Sequence, residues 1–489
     1  MCHPRPRGNP ARRHSYVSGT TKGLQGKVLI ANRGEIAIRV MQACRNLGLD
    51  YVLVYTNEDR ESMHVRLADG EDHLWRIADY LDPNDILEVA DHAGATAIHP
   101  GYGFFSENYR FARRVTTRSR PLTFIGPTWE ALKSLGSKIN TKRIAKALKI
   151  PTIPGSDKPV YNEVEAEDVA AELFAASEEM GVEAPSVMVK PSAGGGGMGI
   201  EEVHRLDEFR RVFRKIRNYA KRQFGDEGVL VEQCLKGCNH LEVQLVCSKH
   251  KEIVSFGTRN CTIQSTGRQK RIEVTPGFEP GYPYDFDPEV VIREITAHSL
   301  KLAEYVEYDS VGTWEWLISP RGNYYLLEVN PRVQVEIGVT GRVSCIKGEG
   351  PGVNLIQEQI RLALGEKLGY KQADVCQRGA AIEFRLVAED TRRGFTPWSG
   401  TIERFHLPER DWLTVYTHVP RTHPYTIPTE YDPNLALAII WGEDLKQAKE
   451  RGRSFLAEAA IEGVGAQGRA IETNLDFLRD NIVEVLRYA

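Results

Sequence analysis

The sequence predicts an α/β protein built from several units, and three stretches carry that prediction. Lys27–Ala31 and Tyr51–Tyr55 read as short buried strands, and between them Ile36, Val40, Ala43, Cys44 and Leu47 recur at helical spacing. Strand, helix, strand is a βαβ unit and implies a parallel sheet. Farther on, Ser186–Ile200 runs from a strand through Lys190 into four consecutive glycines, Gly194–Gly197. Finally, Thr313–Ile318 and Tyr324–Glu336 flank the turn-forming run Ser-Pro-Arg-Gly-Asn, which reads as an antiparallel hairpin.

Bulk composition narrows the function classes. A chain of 489 residues, 41% hydrophobic, has room for roughly three domains. A net charge of −3 gives no general attraction to nucleic acid or acidic membranes. No apolar run approaches the roughly 20 residues that span a bilayer. The eight cysteines form no C-x-x-C pair and are too sparse for a disulfide framework, which suits a reducing cytoplasm. Cys234, Cys238 and His240 cluster, but no second ligand pair follows at zinc-finger spacing. Residues 1–23 carry Arg5, Arg7, Arg12, Arg13 and Lys22, with no acid before Glu35. Pro4, Pro6 and Pro10 spoil the amphipathic helix of a transit peptide, so a disordered basic tail is expected.

In the first βαβ unit, Asn32-Arg33-Gly34 lies at a strand's carboxyl end, where parallel sheets bind ligands, although the G-x-G-x-x-G fingerprint is absent. His99–Phe104 is a second loop at a strand end, and its glycines permit close approach of backbone to ligand. A helical pattern holds Lys138 and Lys142 and stops at Pro151. The glycine run after Lys190 can wrap phosphate oxygens with bare amides, but it is no Walker A loop, because no Gly-Lys-Ser/Thr closes it. Gly228–Leu235 is a further strand. Leu241–Val246 alternates so that Glu242 and Gln244 share one face. Arg259–Arg271 is expected as a basic loop between short strands Glu252–Phe256 and Ile272–Val274, and a second sheet is expected from Ala380.

The hairpin carries the sharpest chemistry. If Ser319 and Tyr324 flank the turn, Glu315 stands directly opposite Glu328, with Asn330 two residues on and on the same face. Opposed carboxylates repel, and a hard divalent cation with oxygen ligands removes the repulsion. Arg332 and Lys270 can stabilise charge developing on a transferred phosphoryl group, and Glu336 is free for general-base work. The phosphoryl acceptor stays open on these grounds.

Ala31–Ala37, His99–Phe104, Lys190 with its glycines, and Glu328–Glu336 together resemble the biotin carboxylase family of the ATP-grasp superfamily, from about Lys27 to the carboxyl end. The resemblance implies an ATP-grasp fold: basic tail 1–23, Rossmann-like domain 24–140, glycine-rich lid 141–235, catalytic core 236–376 and C-terminal domain 377–489. It implies MgATP-dependent (or Mn-dependent) carboxylation of biotin by bicarbonate through carboxyphosphate. Lys138, Lys190, Gly196, Gly197, Glu232, Gln233, Cys234, Leu235 and His240 match ATP contacts, and Glu315, Glu328 and Asn330 match the metal ligands. Lys270, Arg332, Gln334 and Val335 match the bicarbonate site, Glu336 the base and Arg385 the biotin contact. The implied partners are a biotin carboxyl carrier protein, a second copy of the chain and a carboxyltransferase subunit. No methionine precedes a lysine, so the biotinyl-lysine turn of a carrier is absent, and biotin is expected in trans on a carrier docking around Arg385 and Tyr102, with Arg33 nearby.

The chain departs from the family pattern at Ile337-Gly338, where His-Pro is usual, and at Gly341, usually Glu. Lys347–Gly352 reads as an insertion, Arg268 stands at a usual histidine in a basic loop one residue longer, and Met198 stands at a common arginine. Tyr431–Leu437 lacks the usual lysine. None of these removes a metal, base or bicarbonate residue. Another ATP-grasp ligase and a non-catalytic nucleotide-binding scaffold remain as alternative readings.

Overall fold

Five parallel strands open the chain: β1 (Lys27–Ile30), β2 (Asp50–Tyr55), β3 (Leu74–Arg76), β4 (Ala97–His99) and β5 (Thr123–Phe124), in the order β3-β2-β1-β4-β5. The computed structural model describes residues 24–179, 184–192, 199–465 and 468–486. The basic tail, the glycines Gly194–Gly197 and Met198 lie outside the described residues. Val28 and Ile30 of β1 pack into one apolar cluster and Leu29 and Ala31 into another, so the sheet is buried on both faces, as parallel sheets are. The expected βαβ unit is present, with α1 (Gly34–Leu47) closing at left-handed Gly48.

A smaller unit follows. Its antiparallel sheet places β6 (Val187–Pro191) between β7 (Glu201–Val203) and β8 (Val229–Gln233). Helices Glu163–Glu179 and Leu206–Phe224 cover it, with Phe209 and Phe213 packed on Val187 and Val231. Lys190 therefore sits inside a strand immediately before the glycine run.

The largest sheet comprises β9 (Asn239–Cys247), β10 (Ile253–Gln264), β11 (Lys270–Thr275), β12 (Val311–Ile318) and β13 (Tyr324–Asn330). After the ribbon β14 (Ser344–Ile346) and β15 (Val375–Gln377), β16 (Ala380–Val387) joins it. The antiparallel order is β13-β12-β9-β10-β11-β16, then strands Asn434–Gly442 and Leu413–Thr417. Two expectations are corrected here. The segment expected as a basic loop from Arg259 is the second half of β10, and only residues 265–269 turn. Register shifts in β10 accommodate its polar residues, and Arg259 and Asn260 point into the protein onto buried partners rather than into solvent. Nor is there a separate second sheet at Ala380: β16 pairs with β11 from Ile272↔Phe384 to Thr275↔Ala381. Without that pairing the β11 edge would leave buried backbone groups unsatisfied.

The departures after Glu336 have a packing reason. A Cβ on Gly338 would lie 2.3 Å from Ile439 Cδ1, and one on Gly341 would lie 2.4 Å from the Val353 carbonyl. The Val353 N–H donates to the Gly341 carbonyl at 2.8 Å, so the residue that follows the inserted segment packs directly on helix Ile337–Val343. A side chain at Gly341 would displace the backbone at Val353.

Candidate active site

The hairpin puts Glu315 opposite Glu328, as expected, but by a different route. Near the turn Ile318 faces Tyr324 and Trp316 faces Leu326, one residue out of the expected register, and an irregularity at Leu327 restores Glu315↔Glu328. On its other side Glu315 faces Glu242 of β9, and Glu242 faces Arg259 of β10. Three carboxylates and a guanidinium thus stand level across four adjacent strands. Like charges in such a row repel, so the fold has to supply cations.

It supplies them from several elements. Lys270, at the start of β11, bridges Glu242, Glu315 Oε1 (2.8 Å) and Glu336 Oε1 (2.9 Å). His240 Nε2 meets Glu315 Oε2 at 2.8 Å, and its Nδ1 contacts Gln264. Arg259, fully buried, reaches Glu242, Gln244, Thr313, Gln334 and Thr340. Asn330 and Gln334 donate to Glu315 Oε1 at 2.7 and 2.9 Å. Lys138 meets Glu328 at 3.0 Å. Lys142 and Lys190 converge on Glu232.

Glu336 follows the proline-containing turn after β13 and accepts from Arg385 Nη2 at 3.0 Å. Arg385 is anchored at its other end by Glu273, Nε to Oε1 at 2.5 Å. Burial alone would push the Glu336 carboxyl up, yet Lys270, Arg385 and Arg259 outweigh it and hold it well below the usual carboxylate range. Glu315 shows the same balance, its burial overcome by Lys270 and His240. Lys270 in turn is held well above the usual lysine value: burial lowers it, and Glu242, Glu315 and Glu336 together raise it further. Glu242 goes the other way, raised by burial and by the neighbouring Glu336.

Most residues singled out in the sequence line one cavity of about 740 Å³, in the range of small-ligand sites. Its lining includes Lys138, Lys190, Glu232, Gln233, Leu235 and His240 together with Lys270, Glu315, Glu328, Asn330, Arg332, Gln334, Val335, Glu336 and Arg385. Gly196 and Gly197 lie outside the described residues. Arg33 does not line this cavity: its guanidinium grips Asp59 through two 2.6 Å bonds and stacks on Tyr431, a buried structural pair. Tyr102 is held by Asn32, whose amide donates to the Pro100 and Tyr102 carbonyls, and its hydroxyl donates to Glu35. Gly101 is required at that turn: its φ is +63° and a Cβ would lie 2.8 Å from Asn32.

Sequence reasoning missed Glu107, which pairs with Arg332 Nε at 2.5 Å, and Arg259, Glu273 and Glu383 beneath the site. The parity of Glu242 was readable, but its place beside Glu315 depends on β9 pairing with β12, and the local pattern does not encode that choice of neighbour.

The donor set Glu315, Glu328 and Asn330 suits a hard divalent cation, because its carboxylates are directly opposed and offer only oxygen. An acidic floor, converging lysines and an arginine-flanked carboxylate on an ATP-grasp-like sheet define a nucleotide-dependent ligase. The comparisons with known proteins agree. The chain matches the family models "Biotin carboxylase, N-terminal domain" over residues 25–132, "Carbamoyl-phosphate synthase L chain, ATP binding domain" over 137–371 and "Biotin carboxylase C-terminal domain" over 383–484. It is 38% identical over 441 residues to a pyruvate carboxylase subunit of Methanothermobacter thermautotrophicus, covering 90% of this chain and 84% of that one. It is 36% identical to a biotin carboxylase of Nostoc over 464 residues, covering 93% and 97%. Among solved structures, the biotin carboxylase domain dimer of Hydrogenobacter thermophilus 2-oxoglutarate carboxylase, in complex with MgADP, ADP and bicarbonate, superposes with a TM-score of 0.82. That match has 33% identity and covers 94% of this chain and 96% of the other. The chain belongs to the biotin carboxylase family and is an ATP-dependent ligase with the ATP-grasp fold. Among the described residues, no helix is long and apolar enough to cross a membrane.

Proposed function

We propose that this chain carboxylates biotin, presented on a carrier protein, using ATP and bicarbonate. The observation that carries the reading is the Lys270–Glu336–Arg385 chain, in which one carboxylate is held ionised between two cations at the end of the acidic row.

The likeness to the family and the cavity lining support Lys138, Lys190, Glu232, Gln233, Leu235 and His240 as nucleotide contacts. Glu315, Glu328 and Asn330 would hold Mg²⁺, whose contribution there is to compensate the triphosphate charge. Arg332, Lys270, Gln334 and Val335 orient bicarbonate, and the two cations stabilise charge on the transferring phosphoryl group. Glu336 takes the bicarbonate proton at a carboxylate oxygen. In the resting arrangement Lys270 and Arg385 make Glu336 a weak base. As they turn towards incoming anions the carboxylate loses that stabilisation and its proton affinity rises. The resulting oxyanion attacks the γ-phosphorus, giving carboxyphosphate and ADP. Arg385 then steadies the enolate-like form of the biotin ureido group.

The acceptor of the carboxyl group after biotin is chosen by a separate carboxyltransferase. The relatives named for pyruvate and 2-oxoglutarate carboxylases support such a system, and the relative described as a dimer supports pairing with a second copy. The test is transfer of label from ¹⁴C-bicarbonate to free biotin or a biotinylated carrier by the purified chain with MgATP. Label should appear in biotin only when ATP is present. Label-free biotin alongside steady ATP cleavage would point instead to an ATP-grasp ligase with another acceptor.

A further inference from the structure

Beneath Arg385 lies a feature the reaction scheme above does not use. Glu273 on β11 and Glu383 on β16 are directly opposite each other, and both are 0% exposed. Glu273 Oε1 accepts from Arg385 Nε, but Glu273 Oε2 and both oxygens of Glu383 have no hydrogen-bond partner. Two buried, ionised carboxylates so placed would leave three acceptor oxygens unpaired and two like charges face to face, an arrangement no fold sustains cheaply. One proton resolves it. A protonated Glu383 can donate its O–H to Glu273 Oε2, which engages two of the three oxygens, leaves only the neutral carbonyl oxygen of Glu383 unpaired, and gives the pair a single negative charge.

We propose that Glu273 and Glu383 share one proton and act together as a positioning device for Arg385, rather than as catalytic residues. The proposal rests on the reading of Arg385 as the biotin contact. A singly charged pair fixes the Nε side of the guanidinium and leaves Nη2 turned to Glu336 and the cavity. A second charge on the pair would compete with substrate for Arg385. The charged and titratable groups facing the pair are Arg385 on the strand of Glu383, Lys270 on β11, Glu242 on β9, Cys261 on β10, Glu336, Arg39 of α1 and Tyr416. Burial, opposed by Arg385 and reinforced by Glu336, lifts Glu273 to about 7, and burial with the adjacent Glu273 lifts Glu383 well above the carboxylate range. Those directions agree with a proton retained at neutrality.

Three measurements on the full chain test this. Glu273→Gln should raise KM for free biotin about tenfold to a hundredfold, the loss expected for one charged hydrogen bond, while bicarbonate-dependent ATP cleavage without biotin changes far less. Glu383→Gln copies the protonated acid, so it should match the wild type at neutral pH. It should also lack the fall in kcat/KM for biotin expected of the wild type on the alkaline side of neutrality as the shared proton is lost. Independently of any activity, a carboxylic-acid C=O band should appear in the infrared difference spectrum of the wild type minus Glu383→Gln at neutral pH. Absence of that band would overturn the shared proton even if the chain had no biotin-dependent activity. A Glu383→Gln variant as impaired as Glu273→Gln, or one that keeps the alkaline fall, would overturn the positioning role. A wild type with the infrared band but no biotin-dependent turnover would instead count against the function proposed above.

Discussion

The N-terminal sheet and the eight-stranded sheet both bury charge, but they balance it differently. At the end of β1, Arg33 and Asp59 form a closed one-to-one pair with two 2.6 Å bonds, an aromatic lid from Tyr431 and a further bond from Tyr80. In the eight-stranded sheet, Lys270 alone serves three carboxylates, and Glu315 accepts from four groups at once. A closed pair has no reason to exchange partners, so it holds structure. A cluster in which one cation is shared among several anions, and one anion among several donors, can exchange partners without unfolding when a new cation or substrate arrives. Buried charge by itself therefore does not mark a site; unequal sharing does.

The sharpest way to break that comparison is at Glu336. Glu336→Gln should lower bicarbonate-dependent ATP cleavage by about 10²–10⁴-fold, the worth of a positioned general base, while ATP affinity measured by titration stays near the wild-type value. Poor ATP binding with normal saturated turnover would make Glu336 a structural residue instead. Next come Glu315→Gln and Glu328→Gln, each expected to cost about 10²–10³-fold in magnesium-dependent turnover. Near-normal turnover in Glu328→Gln would refute the opposed-carboxylate argument.

The closed pair should respond in stability rather than in rate. Asp59→Asn leaves Arg33 buried without its counter-charge, at a cost of about 3–5 kcal/mol in stability, whereas turnover per folded molecule is unchanged. Thermal melts and active-site titration separate the two. The smallest effect is a pH trend. Glu383 is raised in the folded state, so the unfolded chain releases its proton first, and wild-type stability falls as pH rises above about 4.3. Glu383→Gln should melt close to the wild type at about pH 4 and above it at about pH 7, by at most about 4 kcal/mol. Parallel melting curves across that range would mean Glu383 is ionised in the fold.

Much of the fold and site is legible in the sequence alone. The β1-α1-β2 unit follows from apolar spacing, and the Glu315–Glu328 pairing follows from turn chemistry, although the chain reaches it through an irregularity at Leu327 that no residue pattern announces. Long-range choices are not legible. Arg259 reads as loop because its sequence is polar, and it is strand because Glu242 on β9 and Gln334 in the segment after β13 hold its side chain. Ala380 reads as the start of a new sheet because local pattern cannot say that β11 has a free edge. Glu107 lies 225 residues from Arg332, and only the fold brings them together.

The central claim, that the shared cluster serves bicarbonate activation by ATP, is tested most directly by phosphate release from MgATP as bicarbonate is titrated. The wild type should cleave ATP in proportion to bound bicarbonate, with free biotin increasing the rate, and Glu336→Gln should not respond to bicarbonate at all. Cleavage that is indifferent to bicarbonate in the wild type, or an equal bicarbonate response in Glu336→Gln, would contradict the account.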